Sequence, residues 1–169
     1  FHHYPQILFM AKKKNKVMAD ATAIYNYVPI NDRIASSGQP QREQFQAIKG
    51  AGFDVVINLA LASSEGAVID EDAAVTELGM TYLHIPVDFA NPTVADIQAF
   101  FALMRGLRAR KVWVHCQVNA RVSAFLYHYL RYELGFTDED ASGPVLKAWL
   151  PQMDETWREF LALTKEQIG

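Results

Sequence analysis

The sequence predicts an α/β fold: a mainly parallel central sheet flanked by helices. Three observations predict it. Short runs rich in β-branched and aromatic residues, at 33–37, 53–60, 80–87 and 112–114, alternate with stretches of helical composition. Strands and helices that alternate this way place parallel strands side by side with crossover helices on both faces. The chain has 169 residues, half of them hydrophobic and 21% charged, enough for one domain with a full core and too few for two comfortable ones.

The elements follow in order. Residues 1–18 have no helical or strand period and read as an N-terminal arm or tag outside the core, leaving 19–169 as a single domain. Residues 20–30 predict a short helix or turn ending at Pro29. The segment from Arg33 gives a strand, then a turn punctuated by Gly38 and Pro40. Residues 41–49 have helical composition, with Phe45 and Ile48 at i and i+3, and stop at Gly50 and Gly52. Residues 53–60 read as a buried strand. Residues 70–78 predict a helix with acids in its first turn and Gly79 beyond its end.

The next strand, 80–87, carries Pro86 near its end, the mark of an edge strand or a strand terminus. Thr93 predicts the N-cap of a helix to Arg108, with Val94, Ile97, Phe101, Met104 and Leu107 on its apolar stripe. A strand through Val114 and an apolar helix over 121–133 follow, the helix buried on most sides. Two further helices are expected near 138–150 and 154–166, with Trp149 and Trp157 as packing anchors.

The chemistry concentrates in Lys111-Val-Trp-Val-His-Cys-Gln-Val-Asn-Ala-Arg-Val-Ser123. The lone cysteine stands where a strand becomes a polar loop that opens a helix. Free N–H groups and the helix dipole at such a start favour negative charge, which lowers a thiol's pKa and makes a nucleophile. Arg121 adds a planar fork of donors suited to an oxyanion. In an open parallel sheet, ligands bind at the carboxyl ends of strands. The loops after Ala60, at Asp88 and at Cys116 therefore open on one edge, which brings Asp88 near Cys116.

The loop resembles the phosphate-binding loop of the cysteine-dependent phosphatases, the protein tyrosine and dual-specificity phosphatases. Their pattern is His-Cys, two residues, Gly, two residues, Arg, then Ser or Thr. His115, Cys116 and Ser123 match, and Asn119 stands at the glycine position. Arg121 is one position early, and Val122 fills the arginine slot. The order of Ser37-Gly-Gln-Pro40, residues 51–59, His84-Ile-Pro-Val-Asp88 with Pro92-Thr93, and the Cys116 loop resembles a bacterial branch of tyrosine-phosphatase-like proteins, also described as β-lactamase-hydrolase-like.

The resemblance implies Cys116 as nucleophile through a thiophosphate intermediate, Arg121 as oxyanion clamp and Asp88 as general acid. It implies that Ser123 helps the thiolate leave and that His115 sets the thiol's surroundings. The backbone of Gln117, Val118, Asn119, Ala120 and Arg121 would hold a phosphate- or sulfate-like anion. Asparagine tolerates the left-handed backbone that glycine otherwise supplies at position 119. The six residues from Cys116 to Arg121 also match the length of the loop in rhodanese sulfurtransferases, which surrounds a persulfide sulfur. A sulfurtransferase using a Cys116 persulfide and an oxyanion-binding protein without turnover are the alternatives.

Other residues read more plainly. His84 and His128 look structural. Gln39 and Asn58 are either site-edge residues or turn and strand-end polars. Asp138, Glu139 and Asp140 mark a helix start. The net charge is −3. The four lysines among residues 12–16 account for much of the positive charge, and without them 12 basic side chains face 19 acidic ones. That balance argues against a nucleic-acid partner. No membrane span, metal or cofactor is implied, no protein partner is indicated, and a working thiolate suits the reducing cytoplasm.

Overall fold

Val and Ile fill most of the two inner strands at 55–58 and 112–115, and the strands pair side by side into one sheet. The computed structural model describes residues 20–169; the arm expected at 1–18 lies outside the described residues. After a 3-10 turn at Ala21–Ala23 come strands β1 (Val28–Pro29) and β2 (Ile34–Ser37). A second 3-10 turn, Arg42–Gln44, runs into helix α1 (Phe45–Gly50). Then follow β3 (Val55–Asn58), α2 (Glu71–Thr76), β4 (Thr81–His84), α3 (Val94–Gly106), β5 (Val112–His115) and α4 (Ala120–Tyr132). The chain finishes with α5 (Asp138–Ala141), α6 (Pro144–Trp149), a 3-10 turn at Leu150–Gln152, α7 (Glu155–Leu161) and α8 (Lys165–Ile168).

The strand order is β1-β2-β5-β3-β4. β2, β5, β3 and β4 are parallel, and β1 pairs antiparallel with β2. β5 therefore enters last and takes the central place between β2 and β3. The register sets Ser37, His115, Asn58 and His84 in one row at the carboxyl ends. The loops after β3, β4 and β5 consequently leave from one edge, as the sequence predicts.

Side chains alternate across the sheet, so each strand serves two cores. Ile34, Val55, Ile57, Val112 and Val114 pack beneath α3, α4 and the C-terminal helices, with Phe100, Phe125, Trp157 and Phe160. Ala35, Val56 and Trp113 face Phe45 and Ile48 of α1 and Val75 of α2. Cys116 falls in the first core, while His115, sharing the Trp113 parity, points to the α1–α2 side. α4 is buried along most of its length, as its composition predicts.

Four local expectations change. Residues 20–30 form a single 3-10 turn and then a two-residue edge strand; Pro29 is accepted there because an edge leaves its missing N–H without consequence. The helix expected over 138–150 is split: Ser142 and Gly143 are extended and Pro144 restarts the helix, since proline disfavours helical backbone in the residue before it. The helix expected over 154–166 breaks where Thr164 caps a new start by accepting from the Gln167 N–H. On α3 the buried face is Ile97, Phe100, Phe101 and Met104, and Val94 is exposed. Thr93 caps α3 as predicted, in a reciprocal capping box with Asp96.

Candidate active site

The loop after β5 is held by its carbonyls. The Gln39 N–H donates to Gln117 O at 2.9 Å, Asn26 Nδ2 to Val118 O at 2.9 Å, and the Ser123 N–H to Asn119 O at 3.1 Å. The amides of residues 117–122, by contrast, meet no acceptor among the described residues. With these carbonyls engaged, the successive N–H groups at the start of α4 are the donors from which an anion nest is built. Cys116 opens this loop and is fully buried.

Asn119 makes the turn. Its φ is 73°, in the left-handed region, as expected for an asparagine standing where the resembled loops carry glycine. Its buried side chain adds what glycine cannot. Nδ2 donates to Asn26 O at 2.9 Å and to Ser36 Oγ at 3.2 Å, and Oδ1 accepts from Ser123 Oγ at 3.2 Å. The Ser123 hydroxyl is thus directed at Asn119. Gly38 lets the neighbouring β2 turn approach, because a Cβ there would lie 2.7 Å from the Tyr25 ring and 2.8 Å from Gln117 O.

Arg121 lies in the first turn of α4 and is 4% exposed. Its Nη1 donates to Val87 O at 2.8 Å, and its guanidinium sits 5.7 Å from the centre of the Phe89 ring. The arginine therefore ties the Cys116 loop to the loop that carries Asp88. On the other side of Asp88, Trp157 Nε1 donates to Phe89 O at 2.8 Å. Both neighbours of Asp88 are pinned, and Asp88 itself is exposed with Oδ1 accepting the Ala90 N–H at 3.0 Å.

Behind the loop, on the α1–α2 side, lies a buried polar cluster. His115 Nε2 meets Glu71 Oε2 at 2.6 Å, and His115 Nδ1 meets Cys116 O at 3.1 Å. Gln39 Nε2 donates to Glu71 Oε1 at 2.9 Å. Tyr82 Oη accepts from Asn58 Nδ2 at 3.0 Å. Burial first, then the negative charges of Glu71 and Asp72, push the Tyr82 phenol up to about 12.

Beside the loop runs an open groove of about 680 Å³. Tyr25 and Tyr27, Phe89, Val118 and Ala120 of the loop, and Trp149 form its walls, and no charged side chain lines it. His84 and His128 are structural as read: His84 Nε2 is 2.6 Å from Ala60 O, and the buried His128 is 2.8 Å from Phe160 O. Glu71, Asn26 and Ser36 are the site-supporting residues that sequence reasoning missed. Glu71 carried only the signal of an acid in a helix's first turn, and its partner His115 is 44 positions away. Gln39 and Asn58 prove to belong to the cluster behind the loop.

No family model matches the chain. It is 38% identical to a protein of known structure from Shewanella putrefaciens CN-32 named "Putative phosphatase (DUF442)", covering 83% of this chain and 91% of that one with a TM-score of 0.76. It is 35% identical over 97 residues to the β-lactamase hydrolase-like protein of Xylella fastidiosa strain Temecula1. That match takes in 56% of this chain and spans only 22% of the relative's length. The fold is shared with P. aeruginosa TpbA, solved in complex with phosphotyrosine, at 15% identity and a TM-score of 0.58 over 72% of this chain and 71% of that one. A cysteine-phosphatase fold, a loop of free amides after its central strand, and close identity across nearly all of the Shewanella protein lead to one conclusion: the chain belongs to the DUF442 family of phosphatase-like proteins.

Proposed function

We propose that the chain is a cysteine-dependent hydrolase of phosphate monoesters. One observation carries this reading: the loop that begins at Cys116 has its carbonyls engaged by Gln39 and Asn26 and six consecutive amides without acceptors among the described residues. Such a nest suits the equatorial oxygens of a phosphoryl group, and Cys116, the first residue of the loop, supplies the candidate nucleophile. Arg121 spends one N–H on Val87 O and keeps other donors for the anion.

The Cys116 thiolate attacks phosphorus, the bond to the ester oxygen breaks, and that oxygen takes the Asp88 proton. Water, deprotonated by the Asp88 carboxylate, then attacks the thiophosphate, releasing inorganic phosphate and the thiolate. The uncharged groove walls favour an apolar or aromatic organic group over a polyanionic one. The phosphotyrosine bound by TpbA is an ester of that kind. A reducing compartment such as the cytoplasm suits the thiolate.

A second reading is favoured by the six-residue spacing of Cys116 and Arg121 and by the Asp88 carboxylate being taken up by the Ala90 N–H. In sulfur transfer, the thiolate attacks the outer sulfur of thiosulfate and the S–S bond breaks with its electron pair going to sulfite. Sulfite departs without a proton, so no general acid is needed. An acceptor such as cyanide then removes the sulfur from the Cys116 persulfide.

The test is hydrolysis of para-nitrophenyl phosphate, beside thiosulfate-to-cyanide transfer, by the wild type and Cys116→Ser. Ester hydrolysis lost in the variant supports the phosphatase reading. Sulfur transfer alone would replace it with the second. An anion bound with neither activity would leave a binding protein without turnover.

A further inference from the structure

We propose that Glu71 is a positioning residue for Cys116: it holds His115 as a charged imidazolium directly behind the nucleophile. The inference rests on Cys116 acting as the nucleophile and extends that reading to α2.

Hydrogen-bond accounting carries the argument. Both ring nitrogens of His115 face oxygens that can only accept: Nε2 meets the Glu71 carboxylate at 2.6 Å and Nδ1 meets the Cys116 carbonyl at 3.1 Å. A neutral imidazole has one N–H and one acceptor nitrogen, so it would leave one contact as two facing lone pairs. With Glu71 ionised, only the doubly protonated ring satisfies both. Glu71 is matched on its side. Its Oε2 meets His115 and its Oε1 accepts from Gln39 Nε2 at 2.9 Å, and since imidazole is ordinarily the stronger base of the two, the proton they share belongs on the ring.

The other buried histidine of the described residues shows the contrast. His128 Nε2 donates to Phe160 O at 2.8 Å, and its Nδ1 accepts from Arg131 Nη2 at 3.3 Å. That ring is wired as a neutral tautomer, and His115 is wired as a cation. His115 is 0% exposed and Glu71 5%, so the pair is isolated from solvent and its orientation is fixed. The positive end lies against Cys116 and the negative end away from it. A charge so placed favours the thiolate over the thiol.

Asp72 lies beside Glu71 on α2, and Tyr82 of β4 is close enough for the charges of both to push its phenol up. From α1 the ring meets Phe45, at 6.3 Å between centroids. Removing the carboxylate charge while keeping its shape leaves His115 without a counter-ion, so the ring reverts to the neutral form and the thiolate loses its cation.

The test is a titration of thiolate ultraviolet absorbance, taken as the difference from Cys116→Ser so that Cys116, the only cysteine, is the sole signal. Glu71→Gln is expected to raise the pH at which Cys116 ionises by about one unit. At a given pH below that point the thiolate fraction falls about tenfold. An unchanged midpoint would overturn the role of Glu71. If Glu71→Gln does not fold, the wild-type ring nitrogen shifts of His115 decide: two protonated nitrogens at neutral pH support the pair, and a single neutral tautomer overturns it. Neither measurement needs turnover. A failure of the hydrolase reading would show in the Cys116→Ser activity assay, and a failure of Glu71 would show here.

Discussion

Replacing Asn119 by glycine and by alanine separates two things the side chain does. The backbone at φ 73° costs a residue with a Cβ about 1 kcal/mol or more, and glycine nothing. The side chain's three hydrogen bonds, to Asn26 O, Ser36 Oγ and Ser123 Oγ, are lost in both variants. The buried Ser36 hydroxyl is left without this donor, and an unsatisfied buried group costs about 1–3 kcal/mol. Asn119→Ala, which loses the bonds and keeps the strain, is expected to destabilise by roughly 3 kcal/mol. Asn119→Gly loses the same bonds and sheds the strain, so its cost is about 1 kcal/mol smaller. Urea unfolding at neutral pH reads both values, provided the slopes match the wild type. Equal losses in the two variants would refute the role given to the left-handed turn. A wild-type stability for Asn119→Gly would refute the role given to the side chain.

Burial lowers His128 to about 4 from an ordinary value of 6.5. As pH falls the unfolded chain takes up this proton first, so stability present above pH 6.5 is lost progressively toward pH 4. The loss relative to His128→Gln should reach roughly 3 kcal/mol, and a difference flat with pH would contradict it. Gly38→Ala drives a Cβ against Gln117 O and should cost about 1–3 kcal/mol while weakening phosphate binding to the loop; calorimetric titration with inorganic phosphate reads the second effect, and unchanged affinity would mean the loop absorbs the shift. Trp157→Phe removes the bond to Phe89 O and should cost about 1 kcal/mol in thermal unfolding while raising hydrogen exchange at the Asp88 loop. Asp88→Asn should slow esters with poor leaving groups far more than para-nitrophenyl phosphate; equal slowing would remove Asp88 as the proton donor.

Much of this protein was determined by the sequence alone. Runs such as Val55–Asn58 and Val112–His115 bury both faces and can only be inner strands of a covered sheet. Their alternation with helices sends the Asp88 and Cys116 loops to one edge. Position 119 needed a left-handed residue, and asparagine supplied it. These features are local or follow from order along the chain, so periodicity and turn chemistry expose them. The splitting of the helix near residue 144 was also written locally, in Pro144.

The tertiary structure decided the rest. Arg121 looked like a clamp for an anion, and only the packing of α4 against the β4 loop turned one of its donors to Val87 O. Ser123 matched the resembled motif, and only the fold directed its hydroxyl to Asn119. Glu71 read as an ordinary helix-start acid. It meets His115 because β5 enters between β2 and β3, and because His115 shares the parity of Trp113 and so faces α2. A contact across 44 residues that depends on strand order and on which face a side chain takes leaves no pattern in the sequence. A side chain's identity shows in the sequence, but its partner is set by the register and packing that bring distant segments together.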